Sequence, residues 1–223
     1  MSALDDRVSG DAATLDLPPG IKEYYDTLRD RLLLSSMDSL ESLSLVAVTS
    51  TTSGEGVSTV ATNLAVSLSH HGNVLLVDAN IVNPAVHKIF GMNLSPGLAE
   101  MLEAGKPVPG TGAAHNLDVL AAGHPNGSIP LMFESAGALC GVLAQFRSDY
   151  RFVVFDLPPV NETSASLRLA SLVDGVVLVV EAGRSRWESV QKVKKQLLQI
   201  RAKLLGVVLN KRRFPIPRFF YRS

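Results

Sequence analysis

Short apolar runs alternate along this chain with longer stretches whose apolar residues recur every three or four positions. The runs are Leu43 to Val48, Val74 to Val77, Leu117 to Ala121, Phe152 to Phe155, Val176 to Val180 and Leu204 to Leu209. They are mostly β-branched or aliphatic, and several are continuous rather than alternating, as expected of strands covered on both faces. Helical spacing appears in Ile21, Tyr24, Tyr25, Leu28 and Leu32, again in Val60, Leu64 and Leu68, and again in Trp187, Val190, Val193, Leu197 and Ile200. Gly72 is placed to cap the second of these. Strand and helix alternating in this way predict an α/β fold, a mainly parallel sheet with right-handed crossovers and helices on both faces. No internal repeat is present.

Composition divides the chain further. Its 223 residues fit one domain with a full core. Residues 1–20 are polar, hold four acids against one base, and end in LPPG, where two prolines oppose helix; they predict a flexible acidic arm. Residues 21–210 form the domain, and residues 211–223 a basic tail, KRRFPIPRFFYRS, with five cations and no acid. The formal net charge of zero is therefore an acidic arm and a mildly acidic body offset by a basic aromatic end. Such a tail suits an anionic membrane surface, and equally a solvated end or one docked on the protein itself or on a neighbour. Overall neutrality argues against a nucleic-acid binder. One cysteine, Cys140, excludes an intrachain disulfide and suits a reducing compartment. No apolar run approaches the ~18 residues of a membrane span, and the first residues lack the pattern of a secretory signal, so a cytoplasmic protein is expected.

The chemistry concentrates in SLVAVTSTTSGEGVSTVATNLAVSL, Ser44 to Leu68. Strand, Gly-rich turn and helix follow in the order a phosphate-binding loop requires. Gly54 and Gly56 let backbone amides turn inward around an anion, the helix adds its positive end, and Ser58 stands where a hydroxyl reaches magnesium. Ser53, Gly54, Glu55, Gly56, Val57, Ser58 and Thr59 are thus the candidate nucleotide-binding residues. One position fails: the motif calls for Lys after the second glycine, and this chain has Val57. No Lys or Arg lies between Arg31 and Lys88, which predicts a loop without a local cation. An ammonium ~4 Å from a phosphate oxygen contributes on the order of 4 kcal/mol of gross attraction at an effective dielectric near 20. Its loss should weaken triphosphate binding roughly 10- to 1000-fold and impair phosphoryl transfer more.

Two strand ends carry acids suited to the same place, Asp78 in VLLVDAN and Asp156 in FVVFDLPP. At the carboxyl edge of a parallel sheet both could hold magnesium together with Ser58, Asp156 in the manner of a Walker B acid. Either one alone would serve equally as a helix cap or turn former.

In order and spacing, the segments KEYYDTLRDRLLLS, VAVTSTTSGEGVSTVATNLAVSLS, VLLVDANIVNPAVHKIFG, LDVLAAG, YRFVVFDLPPV, LVDGVVLVVEAGRSRWESV and LLGVVLNK resemble the cytoplasmic domain of bacterial tyrosine kinases, or BY-kinases. Those are P-loop autokinases of MinD/ParA-like fold that work with polysaccharide co-polymerases in capsule and exopolysaccharide export. The resemblance implies ATP or ADP with magnesium as cofactor, Asp78 and Asp156 as the acids of an active site, Asn210 as the base-contacting residue, and Tyr221 as what remains of a phosphoacceptor cluster. It also exposes departures. The loop lysine is Val57, the second acid of the family's DADLRRP stretch is Asn80, and its paired arginines are Val82 and Asn83. The oligomerising pattern of Glu, Arg, Arg reads Glu23, Asp26, Arg29.

An amide at position 80 cannot take a proton at neutral pH, so cation, base and most phosphoacceptors are missing together. The expectation is a catalytically degenerate P-loop protein, binding nucleotide weakly or not at all. It would partner the cytoplasmic segment of an inner-membrane co-polymerase, form homo-oligomers, or sit peripherally at the membrane. The alternative is an active tyrosine autokinase or ATPase whose cation comes from a partner chain, through Arg29, Arg31 or the co-polymerase. A weaker alternative, a ParA/MinD-like positioning ATPase, is disfavoured by Thr52 at the signature lysine position. The five histidines show no metal-ligand spacing, and Cys140 and Trp187 are expected in the core.

Overall fold

A computed structural model describes residues 18–37, 43–104, 110–125 and 136–212. The acidic arm up to residue 17 and the tail beyond Arg212, with Tyr221, lie outside the described residues. The chain builds α1 (Pro19–Met37), β1 (Leu45–Ser50), α2 (Val57–Ser69), β2 (Val74–Asp78), α3 (Val86–Ile89), α4 (Leu98–Ala104), β3 (Thr111–Ala114), β4 (Leu117–Leu120), α5 (Ala136–Asp149), β5 (Phe152–Asp156), α6 (Ser164–Ala170), β6 (Gly175–Glu181), α7 (Trp187–Gln199) and β7 (Leu204–Asn210). One sheet holds all seven strands in the order β3-β4-β2-β5-β1-β6-β7. Every pairing is parallel except that of β3 with β4. All six predicted strands are present. Edge strand β3, TGAA, lacks the apolar run that betrays a buried strand and escapes the sequence reading.

Alternate residues of the central strands feed two cores. Leu45, Ala47, Leu75, Val77, Val153 and Phe155 meet α4, α5, α6 and α7 on one face. Val46, Val48, Leu76 and Val154 meet α1 and α2 on the other. This is the period of two expected when side chains leave a pleated strand on opposite sides.

Five local expectations are corrected. Helix α1 starts at Pro19, two residues before the predicted Ile21, because proline in the first turn gives up only an amide that has no helical partner. Its buried stripe is Tyr25, Leu28 and Leu32, while Ile21 and Tyr24 stay exposed. Helix α2 ends at Ser69 with His70, not Gly72, in the capping position. Cys140 is exposed, since α5 turns Leu139, Leu143 and Phe146 to the sheet and Cys140 away from it. Trp187, the first residue of α7, is 69% exposed, whereas Val193 and Leu197, further along the same stripe, are fully buried.

Candidate functional site

The chain leaves β1 at Ser50 and enters α2 at Val57, and the six residues between them turn the backbone through nearly a full loop. Gly54 and Gly56 take φ values of +87° and +93°, a conformation an L side chain resists. Gly56 is further constrained, because a Cβ there would collide with the amide nitrogen of Asn210. Among the described residues, no backbone acceptor takes the N–H groups of Ser53, Gly54, Glu55, Gly56 or Val57, and the first helical bond is from Val60 to Gly56. A run of consecutive unpaired amides at a helix start is an anion cradle.

Glu55 holds this loop from within. Its buried carboxylate accepts from the amides of Thr51 (2.7 Å) and Thr52 (3.1 Å), from the Thr51 hydroxyl, and from the Ser185 hydroxyl beyond β6. Burial pushes its pKa up, but the hydrogen bonds from Ser185, Thr52 and Thr51 outweigh it and hold the carboxyl below its ordinary value. The outer side of the loop is gripped from the end of β7. Asn210 Nδ2 donates to the Glu55 carbonyl at 2.9 Å, and Lys211 Nζ donates to the Gly54 carbonyl at 2.6 Å. Lys211 also pairs with Glu181 at 3.1 Å, and Arg184 pairs with the same carboxylate at 3.2 Å. Arg184 Nη1 lies 3.7 Å from where a Cβ on Gly54 would stand.

These contacts correct the expectation of a loop without a local cation. The sequence window from Arg31 to Lys88 is indeed empty of basic residues, but the sheet places β6 beside β1 and β7 beside β6. Their ends therefore deliver Arg184 and Lys211 to the loop. Sequence reasoning missed these two, with Glu181 and Ser185. Their one legible signal is position just after a strand, and the order of strands is needed to use it.

Asp156 ends β5 in register with Asp78 of β2, and both are buried with no exposed surface. Among the described residues, neither carboxylate oxygen of Asp156 has a hydrogen-bond partner. Burial first, then the charge of Asp78, pushes its pKa up to about 8; the Ser58 hydroxyl opposes the shift slightly, facing the carboxylate without reaching hydrogen-bonding geometry. Asp78 is occupied differently. Its oxygens accept from the amides of Asn80, Ala85 and Val86 at 3.0–3.1 Å, which pins the turn into α3. Burial raises its pKa to about 6 against those three bonds. An orphaned buried carboxylate opposite a hydroxyl at a helix start fits a divalent cation accompanying a polyphosphate. Asp156 and Ser58 are the residues free to hold it, and Asp78 adds charge behind them.

Other predicted residues lie elsewhere. Arg29 does not approach the loop: it pairs with Asp26 (2.7 Å) and Asp30 (2.8 Å) and donates to the Ser67 hydroxyl, tying α1 to α2. Asn80 accepts from the Asn83 amide within its own turn.

Comparison with known proteins gives the same picture. Residues 42–219 match the family model ParA, described as NUBPL iron-transfer P-loop NTPase. The chain is 33% identical over 192 residues to tyrosine-protein kinase YwqD of Bacillus subtilis (strain 168), covering 84% of this chain and 80% of that protein. The crystal structure of the chimerical protein CapA2B2 superposes with a TM-score of 0.80 at 28% identity, over 91% of this chain and 88% of that one. The kinase domain of Escherichia coli tyrosine kinase ETK shares the fold, with a TM-score of 0.78 at 22% identity over 87% and 78% of the two chains. The Gly loop, the sheet order around it and these similarities lead to one conclusion: the chain belongs to the ParA family of P-loop NTPases, among the relatives of the bacterial tyrosine-protein kinases.

Proposed function

We propose that this chain is a catalytically degenerate BY-kinase-like protein that binds nucleotide and acts with an inner-membrane polysaccharide co-polymerase in the biosynthesis and export of capsule or exopolysaccharide. The observation that carries this reading is Val57 inside an otherwise complete phosphate cradle. The loop amides from Ser53 to Val57 have no backbone acceptor among the described residues, and the partnerless Asp156 carboxylate beside Ser58 would suit a cation. Magnesium bound there would neutralise phosphate charge and orient the triphosphate. The chain's own residues then favour binding over transfer. Backbone donors hold ground-state and transferring phosphate alike, whereas a lysine at position 57 would act on charge that develops during transfer. Asn80 cannot take the proton of an incoming hydroxyl. The named co-polymerase partnership rests on the family resemblance, and the basic tail that begins at Lys211 would hold the protein close to the membrane where such a partner sits.

Calorimetry with Mg-ATP tests the reading. The wild-type chain is expected to bind without turnover and without phosphate appearing on Tyr221. Val57→Lys is expected to tighten binding by roughly tenfold or more, the lower end of the loss expected from the missing charge. Phosphorylated Tyr221 in wild type, with or without the co-polymerase's cytoplasmic segment, would establish the autokinase instead.

A further inference from the structure

Resting on that nucleotide-binding reading, we infer that Lys211, held by Glu181 against the Gly54 carbonyl and flanked by Arg184, is the cation of the phosphate site, supplied in cis from the end of β7 in place of the side chain that Val57 lacks. Three observations meet here. Lys211 Nζ bonds the Gly54 carbonyl at 2.6 Å, so the positive charge sits on a peptide of the cradle itself. In a trans peptide the C=O and the following N–H point in opposite directions. The Glu55 amide, which follows that carbonyl, therefore points away from the ammonium, and it has no backbone acceptor among the described residues. An anion on that N–H would stand within about 7 Å of Lys211 by standard peptide and hydrogen-bond dimensions, inside the ~8 Å screening length of physiological salt.

The second observation is how the ammonium is held. Lys211 takes φ +54°, a region non-glycine residues seldom occupy, and its amide is fastened to the Asn210 side chain at 2.8 Å. Asn210 in turn grips the Glu55 carbonyl. Adjacent residues at the end of one strand thus bond adjacent carbonyls of the loop, which fixes where the lysine can reach. The third is charge balance. Glu181 pairs with Lys211 and Arg184 together, so the two cations outside the loop balance Glu181 and the ionised Glu55 carboxylate within it, and Lys211 is the one bonded to a carbonyl of the loop. The cluster lies outside the ring of amides, so it strengthens binding of a polyphosphate without entering the path of transfer. A cation there serves a nucleotide-binding protein and does little for a kinase.

The test measures Mg-ATP and magnesium tripolyphosphate binding to wild type, Lys211→Met, Lys211→Arg, Arg184→Met, Val57→Lys and, as a control for lost charge, Lys195→Met on the exposed side of α7. Lys211→Met is expected to weaken both ligands by roughly tenfold, as loss of a charge-assisted partner does. Arg184→Met should weaken them less. Lys211→Arg should recover most of the loss, Lys195→Met should bind as wild type, and the salt dependence of binding should flatten most in Lys211→Met and less in Arg184→Met. Thermal melts confirm that each variant is folded. Equal affinity of wild type and Lys211→Met for tripolyphosphate would overturn the inference and leave the nucleotide reading standing. So would binding by Val57→Lys when wild type shows none. If neither wild type nor Val57→Lys binds, the inference and the nucleotide reading fall together.

Discussion

Gly56 carries two constraints at one atom. Its φ of +93° disfavours any side chain, and the Asn210 amide occupies the space a Cβ would need. Gly56→Ala should therefore cost ~1–3 kcal/mol in a urea unfolding measurement and break the Asn210 bond to the Glu55 carbonyl. A change under ~0.5 kcal/mol would mean that the loop relaxes freely around the new methyl. Glu55, next to it, shows how little residue type alone reveals. Its sequence position marks it as part of a phosphate loop, yet its carboxylate faces inward to Thr51, Thr52 and Ser185. That carboxylate braces the cradle, and what the same residue offers a bound anion is its backbone amide.

Helix α1 illustrates the next level of organisation. Periodicity marks it as amphipathic, and the buried side proves to be Tyr25, Leu28 and Leu32, packed with α2 over the second core. Leu32 is 4% exposed and Tyr24 65%. Leu32→Ala is expected to destabilise the protein by ~2–4 kcal/mol through lost burial and a residual cavity, while Tyr24→Ala should stay within ~0.5 kcal/mol. Equal effects in thermal or urea unfolding would show that the helix is not docked as described. The Asp26–Arg29 pair, anchored on Ser67, belongs to the same junction. A charge pattern that read as an interrupted oligomerisation signal in the sequence is spent within the chain, joining two of its own helices.

Across the molecule, the parallel register of β2 with β5 puts Asp78 beside Asp156 where no water reaches either. Both carboxyls keep their protons to higher pH in the folded chain, at about 6 and about 8, than in an unfolded one. The folded state thus binds protons that the unfolded state has released. The stability they confer is complete below the ordinary carboxylate range and lost as pH rises through about 6 and then about 8. Melts of metal-free, nucleotide-free protein should show Tm falling from pH 6 to pH 9, and Asp156→Asn should flatten the upper part of that decline. An unchanged slope in the variant would show that Asp156 is ionised throughout. At the acid end the signs reverse. Glu100, held down to about 2 against its own desolvation by Ser95 and the amides of His124 and Gly97, contributes stability that disappears as pH falls toward that value.

Six strands, the three helices α1, α2 and α7 and the phosphate loop were legible in the order of residues, because each is written in neighbours: a run of aliphatics, a spacing of three and four, two glycines between a strand and a helix. The acids at 78 and 156 were legible as strand ends for the same reason. The two acids proved unequal only in three dimensions, one tied to three amides and the other without a hydrogen-bond partner among the described residues. Strand β3, the exposure of Trp187 and Cys140, and above all the cations beside the loop were decided by packing. More than 150 residues separate Lys211 from the Gly54 carbonyl, and only the stacking of β6 beside β1 and β7 beside β6 brings them together. Local pattern selects the elements, but which strand ends meet is set by burying both faces of one sheet at once.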